Sequence, residues 1–167
     1  MQRRDLIKGG AAGLLAGLAT TARAADLPVI RWRLASSFPK SLDTIYGAGE
    51  NLARRIGEMT GGRFQIRVYA AGELVPGLSV LDKVQDATIE CGHSAGYYYV
   101  GKNKAFAFDT ALPFGLTARQ QMAWMSAGGG LKLVNDFLKD YNVRGFPGGN
   151  TGVQMGGWFR REIKTLA

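Results

Sequence analysis

The order of hydrophobic patterns in the first half of this chain constrains its fold more than any other feature. Residues 30–35 alternate apolar and basic side chains, as a strand with one buried face does, and residues 63–69 alternate again. Between them, apolar residues recur at helical spacing over residues 42–59. A short helix over residues 78–87 and a buried strand over residues 89–95 follow. This order predicts an α/β fold in which helices cover a parallel sheet.

Small polar residues and glycines predict where the helices begin and end. Ser41 is a candidate cap for the first helix, and Gly61 is suited to its left-handed exit. Thr117 is a candidate cap for a later helix, and a further helix is predicted over residues 131–141. Extended chain is predicted at residues 143–146 and 151–159.

The first 24 residues have the layout of an export signal. Arg3 and Arg4 precede a glycine- and alanine-rich run over residues 9–19, and small residues follow it. This run is shorter than the roughly 20 apolar residues that a membrane span needs. The arginine pair resembles a twin-arginine signal, which predicts a mature chain from Ala25 in the periplasm. An amphipathic helix packed on the domain is the alternative.

Composition and charge exclude several classes of protein. The formal net charge is +8, from 21 basic and 13 acidic residues, and the basic residues form no block along the chain. A nucleic-acid partner is therefore not expected, because such proteins cluster Lys and Arg on one face. The single cysteine cannot form an intramolecular disulfide, and with one histidine it argues against a zinc site.

Cys91 and His93 are the residues that most suggest enzyme chemistry, since Ser94 is adjacent to His93 in the predicted strand and would point to the other face. They lie two positions apart in a predicted strand, so their side chains share a face. A periplasmic thiol-dependent enzyme is therefore one alternative function, although a working pair usually needs a third, orienting group. The other interpretation of the pair is a small buried thiol beside a hydrogen-bonded histidine. A further alternative, an interaction module of the cell envelope, is suggested only by the modest positive charge.

Two predicted strands end in residues suited to binding a small oxygen-rich anion. In open parallel sheets, ligands bind beyond the carboxyl ends of the strands. Ser37 and Phe38 follow the first strand, and Tyr98 and Tyr99 follow the third. Hydroxyl groups and aromatic rings at these positions predict part of a ligand pocket. Packing in the core or at its rim is an equally weighted interpretation of the two tyrosines.

Two amide side chains extend this candidate site. Asn150 and Gln154 lie in a glycine-rich, otherwise apolar segment. Burying an amide without a partner costs roughly 1–3 kcal/mol, so each side chain is expected either to be hydrogen-bonded or to coordinate a ligand or ion. The carbonyl oxygen of Gln154 suits a hard cation such as Na⁺ or Ca²⁺.

Three segments of the chain resemble one known family. They are RWRLASSFPKSLDTIYGAGENLARRIGEMTGGRFQIRVYAAGEL, ECGHSAGYYYVGKNKAFAFDTALPFGLTARQQMAW and GNTGVQMGGWFRREIKTL. Together they resemble the periplasmic solute-binding proteins of TRAP (tripartite ATP-independent periplasmic) transporters, and most closely the branch that binds 2-oxo acids such as pyruvate. The resemblance extends from Ile30 to the end of the chain.

The resemblance implies a periplasmic-binding-protein-like clamshell of two α/β lobes that performs no chemistry. It implies capture of a small organic acid through a bridging Na⁺ or Ca²⁺, delivery to the membrane permease subunits of the transporter, and a homodimer as a candidate assembly. Gln154 matches the family's glutamine that contacts ligand and cation. Asn150, Tyr98 and Tyr99 are placed in or beside the pocket by analogy.

The family's length implies a particular division of this chain. Its members run to roughly twice the present length, as expected of proteins with two domains. Residues 25–149 are then expected to form most of the first lobe, and residues 150–167 a crossing strand into a truncated second lobe. The arginine that binds the ligand carboxylate, and the remaining residues of the cation site, are expected beyond Ala167.

Overall fold

A computed structural model of the chain describes residues 28–110, 112–152 and 157–165. The predicted export signal and Gln154 lie outside the described residues. Within the described part of the chain, no helix is long and apolar enough to cross a membrane.

Three parallel strands form the sheet. They are β1 (Ile30–Ser36), β2 (Phe64–Tyr69) and β3 (Cys91–His93), in the spatial order β2-β1-β3. Leu34 of the central strand pairs with Val68 of β2 and with Cys91 of β3. The predicted parallel sheet is therefore confirmed.

The third strand is shorter than the predicted span of residues 89–95. Ile89 is only 1% exposed and packs with Ala35 and Val80 instead of extending the strand. At the other end, Gly96 begins a 3₁₀ turn that continues to Tyr99. Core packing on one side and a tight turn on the other thus limit β3 to three residues.

Helices cover the two faces of this sheet. α1 (Asp43–Met59) lies on the face of Leu34 and Val68, because a Cβ built on its Gly49 would be 3.7 and 3.6 Å from these two side chains. α2 (Val80–Gln85) follows a 3₁₀ turn and packs on the opposite face, where Val80 meets Ala35. This two-sided cover is the doubly wound arrangement.

The predicted capping role of Ser41 is wrong. Leu42 occupies the position before α1, and no side chain there caps the helix. The Leu42 N–H instead donates to the Pro39 carbonyl at 3.1 Å, so a backbone turn sets the start of the helix. The first turn carries Asp43, whose carboxylate accepts the Thr44 N–H at 2.7 Å. The exit is as predicted, since Gly61 has a φ of 57°.

Two further helices form the second half. They are α3 (Ala118–Ala127) and α4 (Gly130–Leu138), and a 3₁₀ turn over Lys139–Tyr141 continues the latter. Thr117 caps α3 as predicted, in a reciprocal capping box with Gln120. Residues 143–152 and 157–165 form no strand, so the extended chain predicted over 143–146 lacks a sheet partner among the described residues.

The two halves meet in an aromatic core. Tyr99 and Phe106 are each 4% exposed, and Leu81 of α2 packs with them. The ring of Phe106 packs edge-on against Phe137 of α4, with 4.9 Å between centroids. This core joins the sheet to the later helices and holds the segment that follows β3.

Candidate functional site

The candidate site lies at the carboxyl ends of β1 and β3. The central strand has β2 on one side and β3 on the other, and the helices after β1 and β2 cover opposite faces. A crevice opens beyond the carboxyl ends of two neighbouring strands where the chain changes faces in this way. Ser37 follows β1 directly and Ser94 follows β3 directly.

A chain of hydroxyl groups joins these two strand ends to α2. The Ser37 hydroxyl donates to the Gly77 carbonyl at 2.6 Å, and its Oγ is also 2.6 Å from the Oγ of Ser94. The Ser94 hydroxyl is 2.8 Å from the hydroxyl of Tyr99. The phenol oxygen of Tyr99 accepts the Leu81 N–H at 3.2 Å. The two loops are therefore held in a defined position relative to each other.

Aromatic rings form a wall beside these hydroxyls. Phe38 is 6% exposed, and its ring centroid lies 5.0 Å from that of His93 and 6.1 Å from that of Tyr98. Tyr97 packs against Tyr98 with 4.5 Å between centroids. A hydrogen bond with Tyr97, together with burial, raises the pKa of Tyr98 to about 12. The Tyr98 phenol therefore keeps its proton at physiological pH.

The structure does not favour Cys91 and His93 as a thiolate–imidazole pair. The Cys91 thiol donates to the Arg33 carbonyl at 3.6 Å, and burial raises its pKa to about 11. The Nδ1 of His93 lies 3.4 Å from Ser36 Oγ, and burial lowers its pKa. An activated cysteine needs a lowered pKa. The thiol here is protonated near neutral pH, which fits the structural interpretation of the pair.

The structure brings together only part of the predicted site. Ser37, Phe38 and Tyr98 lie near one another at the strand ends, whereas Tyr99 is buried and contributes only its hydroxyl to the chain. Asn150 is exposed, and its side-chain oxygen accepts the Gly152 N–H at 3.0 Å in a local turn. Its place in the pocket stays a prediction.

The cation site also stays a prediction. Gln154, its predicted ligand, lies outside the described residues. No group of three or more His, Cys, Asp or Glu side chains among residues 28–110, 112–152 and 157–165 could hold a metal ion.

Ser94 is a candidate binding residue that the sequence analysis missed. Its position after β3 matches that of Ser37 after β1, so the strand-end argument applies equally to both. The predicted third strand extended to residue 95 and placed Ser94 inside it. A correct end for that strand would have identified this serine.

Comparisons with known proteins identify relatives along most of the chain. The family model described as bacterial extracellular solute-binding protein, family 7 (DctP), matches residues 35–167. A monocarboxylate 2-oxoacid-binding periplasmic protein of Nostoc sp. is 55% identical over 148 residues, which cover 89% of this chain and 40% of that protein.

Solved structures show the same fold. A TRAP transporter solute-binding protein from Bordetella bronchiseptica, a mixed-occupancy dimer with copurified calcium and picolinate, matches with a TM-score of 0.79 and 51% identity. The match covers 83% of this chain and 41% of that one. A TRAP periplasmic solute-binding protein from Pseudoalteromonas atlantica, with bound sodium and pyruvate, matches with a TM-score of 0.77 and 43% identity, over 81% of this chain and 41% of that one.

These matches confirm the predicted fold class. The parallel sheet and its covering helices correspond to part of the fold of these solute-binding proteins. The chain spans about 40% of the length of the relatives it matches.

Proposed function

The chain belongs to the bacterial extracellular solute-binding proteins of family 7, and we propose that it captures a small 2-oxo monocarboxylate for uptake by a TRAP transporter. The observation that carries the proposal is its 55% identity to a monocarboxylate 2-oxoacid-binding periplasmic protein over 89% of this chain. The protein is proposed to bind its ligand and to perform no chemistry on it.

The residues that meet at the strand ends support a binding role. An aromatic wall of Phe38 and Tyr98 lies beside the hydroxyl groups of Ser37 and Ser94. Small-molecule sites combine mainly apolar surface with a few placed polar groups, as this one does. The protonated thiol of Cys91 offers no competing nucleophile near neutral pH.

A cation is proposed to bridge the ligand and the protein. Relatives that are 51% and 43% identical have calcium with picolinate and sodium with pyruvate. In this chain the proposed ligand to Na⁺ or Ca²⁺ is the carbonyl oxygen of Gln154, because such oxygens suit hard cations. Asn150 is proposed to lie beside it, four positions earlier in the same segment. The cation would neutralise the carboxylate of the bound acid.

The cellular setting is proposed from the family and the N-terminal sequence. A twin-arginine signal over residues 1–24 would export the chain to the periplasm, with residues 25–149 as the first lobe and residues 150–167 leading into the second. The partners would be the membrane permease subunits of the transporter. A homodimer is the proposed assembly, since one relative forms a dimer.

Calorimetry tests the proposed function. Pyruvate would be titrated into the purified chain with and without Na⁺ or Ca²⁺, and heat of binding that depends on the cation is expected. A parallel titration would use a chimera in which residues 35–167 replace the matching segment of the Bordetella relative, so that the remaining length is supplied. Absence of binding by both proteins, with either cation, would contradict the proposal.

A further inference from the structure

A cavity lies between the two later helices and the 3₁₀ turn over Lys104–Ala107. Its volume is about 240 Å³. A cavity of about 150 Å³ is large enough to bind benzene, so this one has room for a ring with a short substituent. Phe108 and Leu133, two of its lining residues, are 59% and 62% exposed, so a ligand can enter from solvent. None of the described residues that meet at the strand ends lines it.

The aromatic walls of this cavity are fixed by packing before any ligand binds. Phe106 is 4% exposed and packs edge-on against Phe137 of α4, with 4.9 Å between centroids. The indole of Trp124 on α3 lies against the backbone of Gly130, because a Cβ built on that glycine would come within 2.5 Å of the indole Cδ2. All three rings line the cavity. A ligand would therefore meet ordered aromatic surface and would lose little free energy in arranging it.

Asp109 is the one charged side chain among the described residues that line the cavity. Its carboxylate packs against Gly96, since a Cβ built there would overlap the Oδ1 atom, and it accepts the Thr110 hydroxyl at 3.2 Å. Burial raises the pKa of Asp109. Within residues 28–110, 112–152 and 157–165, no basic side chain forms an ion pair with it. The carboxylate therefore has no counter-charge in the described part of the chain.

We propose that this cavity binds a small organic ammonium ion with an apolar body, with its charge at Asp109 and its body between the aromatic side chains. Such an ion supplies the missing counter-charge and covers the aromatic surface at the same time. Ammonium groups are also attracted to the face of an aromatic ring within about 6 Å, most strongly to that of tryptophan, and Trp124 lines the same cavity as Asp109. The site is separate from the strand ends and does not depend on the proposed function.

Benzylamine and benzyl alcohol test the proposed charge preference. Both carry a ring and one short polar arm, but only benzylamine is charged at pH 7. Calorimetry on the chain should show that benzylamine binds about tenfold more tightly, which is near the lower end of what a hydrogen bond between charged groups contributes. Equal affinities, or no binding of benzylamine, would overturn the inference.

Nuclear magnetic resonance locates the bound amine. The indole N–H signal of Trp124 should shift during the titration, whereas that of Trp32, which packs against Phe64 on the sheet, should stay in place. The two signals are assigned from Trp124→Phe, which removes one of them. A shift of the Trp32 signal alone would overturn the inference, because the amine would then bind elsewhere.

Two carboxylate variants separate the role of Asp109 from net charge. Asp109→Asn keeps the shape of the side chain and should abolish the preference for benzylamine over benzyl alcohol. Asp140→Asn removes an exposed carboxylate on the turn after α4, outside the cavity lining, and should keep the preference. An unchanged preference in Asp109→Asn would overturn the inference. If that variant does not fold, Leu133→Trp is used, because the larger side chain should fill part of the cavity and weaken the binding of both compounds.

The chimera shows whether the cavity stays open in a chain of full family length. Benzylamine should bind the chimera with the same preference as the chain. Binding by the chain but not by the chimera would overturn the inference, because the added length would then cover the cavity. Neither compound is a 2-oxo acid, so a negative result here leaves the pyruvate titration, and the function it tests, unaffected.

Discussion

Gly92 lies directly against Val80, since a Cβ built on Gly92 would come within 2.5 Å of the Val80 Cγ1. The contact joins the shortest strand of the sheet to α2. Val80 is 1% exposed and has a stiff, branched side chain, so it cannot move aside easily. The close approach of β3 to this helix thus depends on a residue without a side chain.

Replacing this glycine should destabilise the fold. Overpacking a closely packed core costs about 1–3 kcal/mol, and we expect Gly92→Ala to lower the free energy of unfolding by that amount. Urea unfolding monitored by circular dichroism measures it. Gly101→Ala is the matched control, because a Cβ there would meet nothing within 4 Å. Equal stabilities of the two variants would contradict the packing argument.

The capping box at the start of α3 predicts a second effect. The Thr117 hydroxyl accepts the Gln120 N–H at 3.4 Å, and the Gln120 side chain accepts the Thr117 N–H at 2.9 Å. Thr117→Ala should lower the free energy of unfolding by about 1 kcal/mol, the usual contribution of such a cap. Thr117→Ser keeps the hydroxyl and should retain most of the stability. Chemical denaturation of both variants tests this. If Thr117→Ser loses as much stability as Thr117→Ala, the result would argue against the cap.

The ion pair between Arg33 and Glu90 predicts a pH dependence. Two bonds from the guanidinium to the carboxylate, at 2.6 and 3.0 Å, lower the pKa of Glu90 from 4.5 to about 2. A pKa that is lower in the folded state stabilises the protein above the ordinary pKa, and this stability is lost as the pH falls from about 4.5 towards about 2. Glu90→Gln should remove this part of the acid sensitivity.

Melting temperatures between pH 6 and pH 2 test that dependence. Below pH 5, the melting temperature should fall less steeply with decreasing pH in Glu90→Gln than in the native chain. Arg33→Lys keeps the charge but loses the two-pronged geometry, so an intermediate slope is expected. If the melting temperatures of the native chain and Glu90→Gln fall in parallel with pH, the role assigned to the ion pair would be refuted.

The raised pKa of Cys91 predicts low reactivity. Burial raises the pKa of this thiol to about 11, and only the thiolate reacts with iodoacetamide. Labelling of the folded chain should be slow at pH 7 and should rise towards pH 10, whereas the chain in urea should react at an ordinary rate. His93→Ala should leave the folded rate at pH 7 unchanged. Fast labelling that disappears in His93→Ala would instead support the thiol-enzyme alternative.

The proposed cation ligand predicts a binding effect. Gln154→Ala should weaken pyruvate binding and abolish its dependence on Na⁺ or Ca²⁺, because the carbonyl oxygen that holds the cation is lost. Calorimetry on the chimera carrying this substitution measures both quantities. Gln65→Ala is the control, since Gln65 lies on β2 and donates to the Gly62 carbonyl in a local turn. Unchanged affinity and cation dependence in Gln154→Ala would reject the role.

Local patterns predicted the elements well because each depends on a few neighbouring residues. The alternation in β1 and β2, the helical spacing of α1 and the cap at Thr117 all appear in the structure. The errors lie at element ends. Ser41 has the chemistry of a cap, but the turn from Pro39 to Leu42 starts the helix with the serine outside it. The third strand ends early because the turn from Gly96 to Tyr99 competes with it.

The chain's own residues determined the order of strands and helices, the family and the loops that follow the strands, because periodicity and motifs are local properties. Only the tertiary structure decided what those loops present. Ser37 and Ser94 are 57 positions apart, yet their hydroxyl groups are 2.6 Å from each other, and Ser37 also donates to the Gly77 carbonyl in the turn before α2. These contacts join residues that are far apart in the sequence, so only folding brings their polar groups within hydrogen-bond distance.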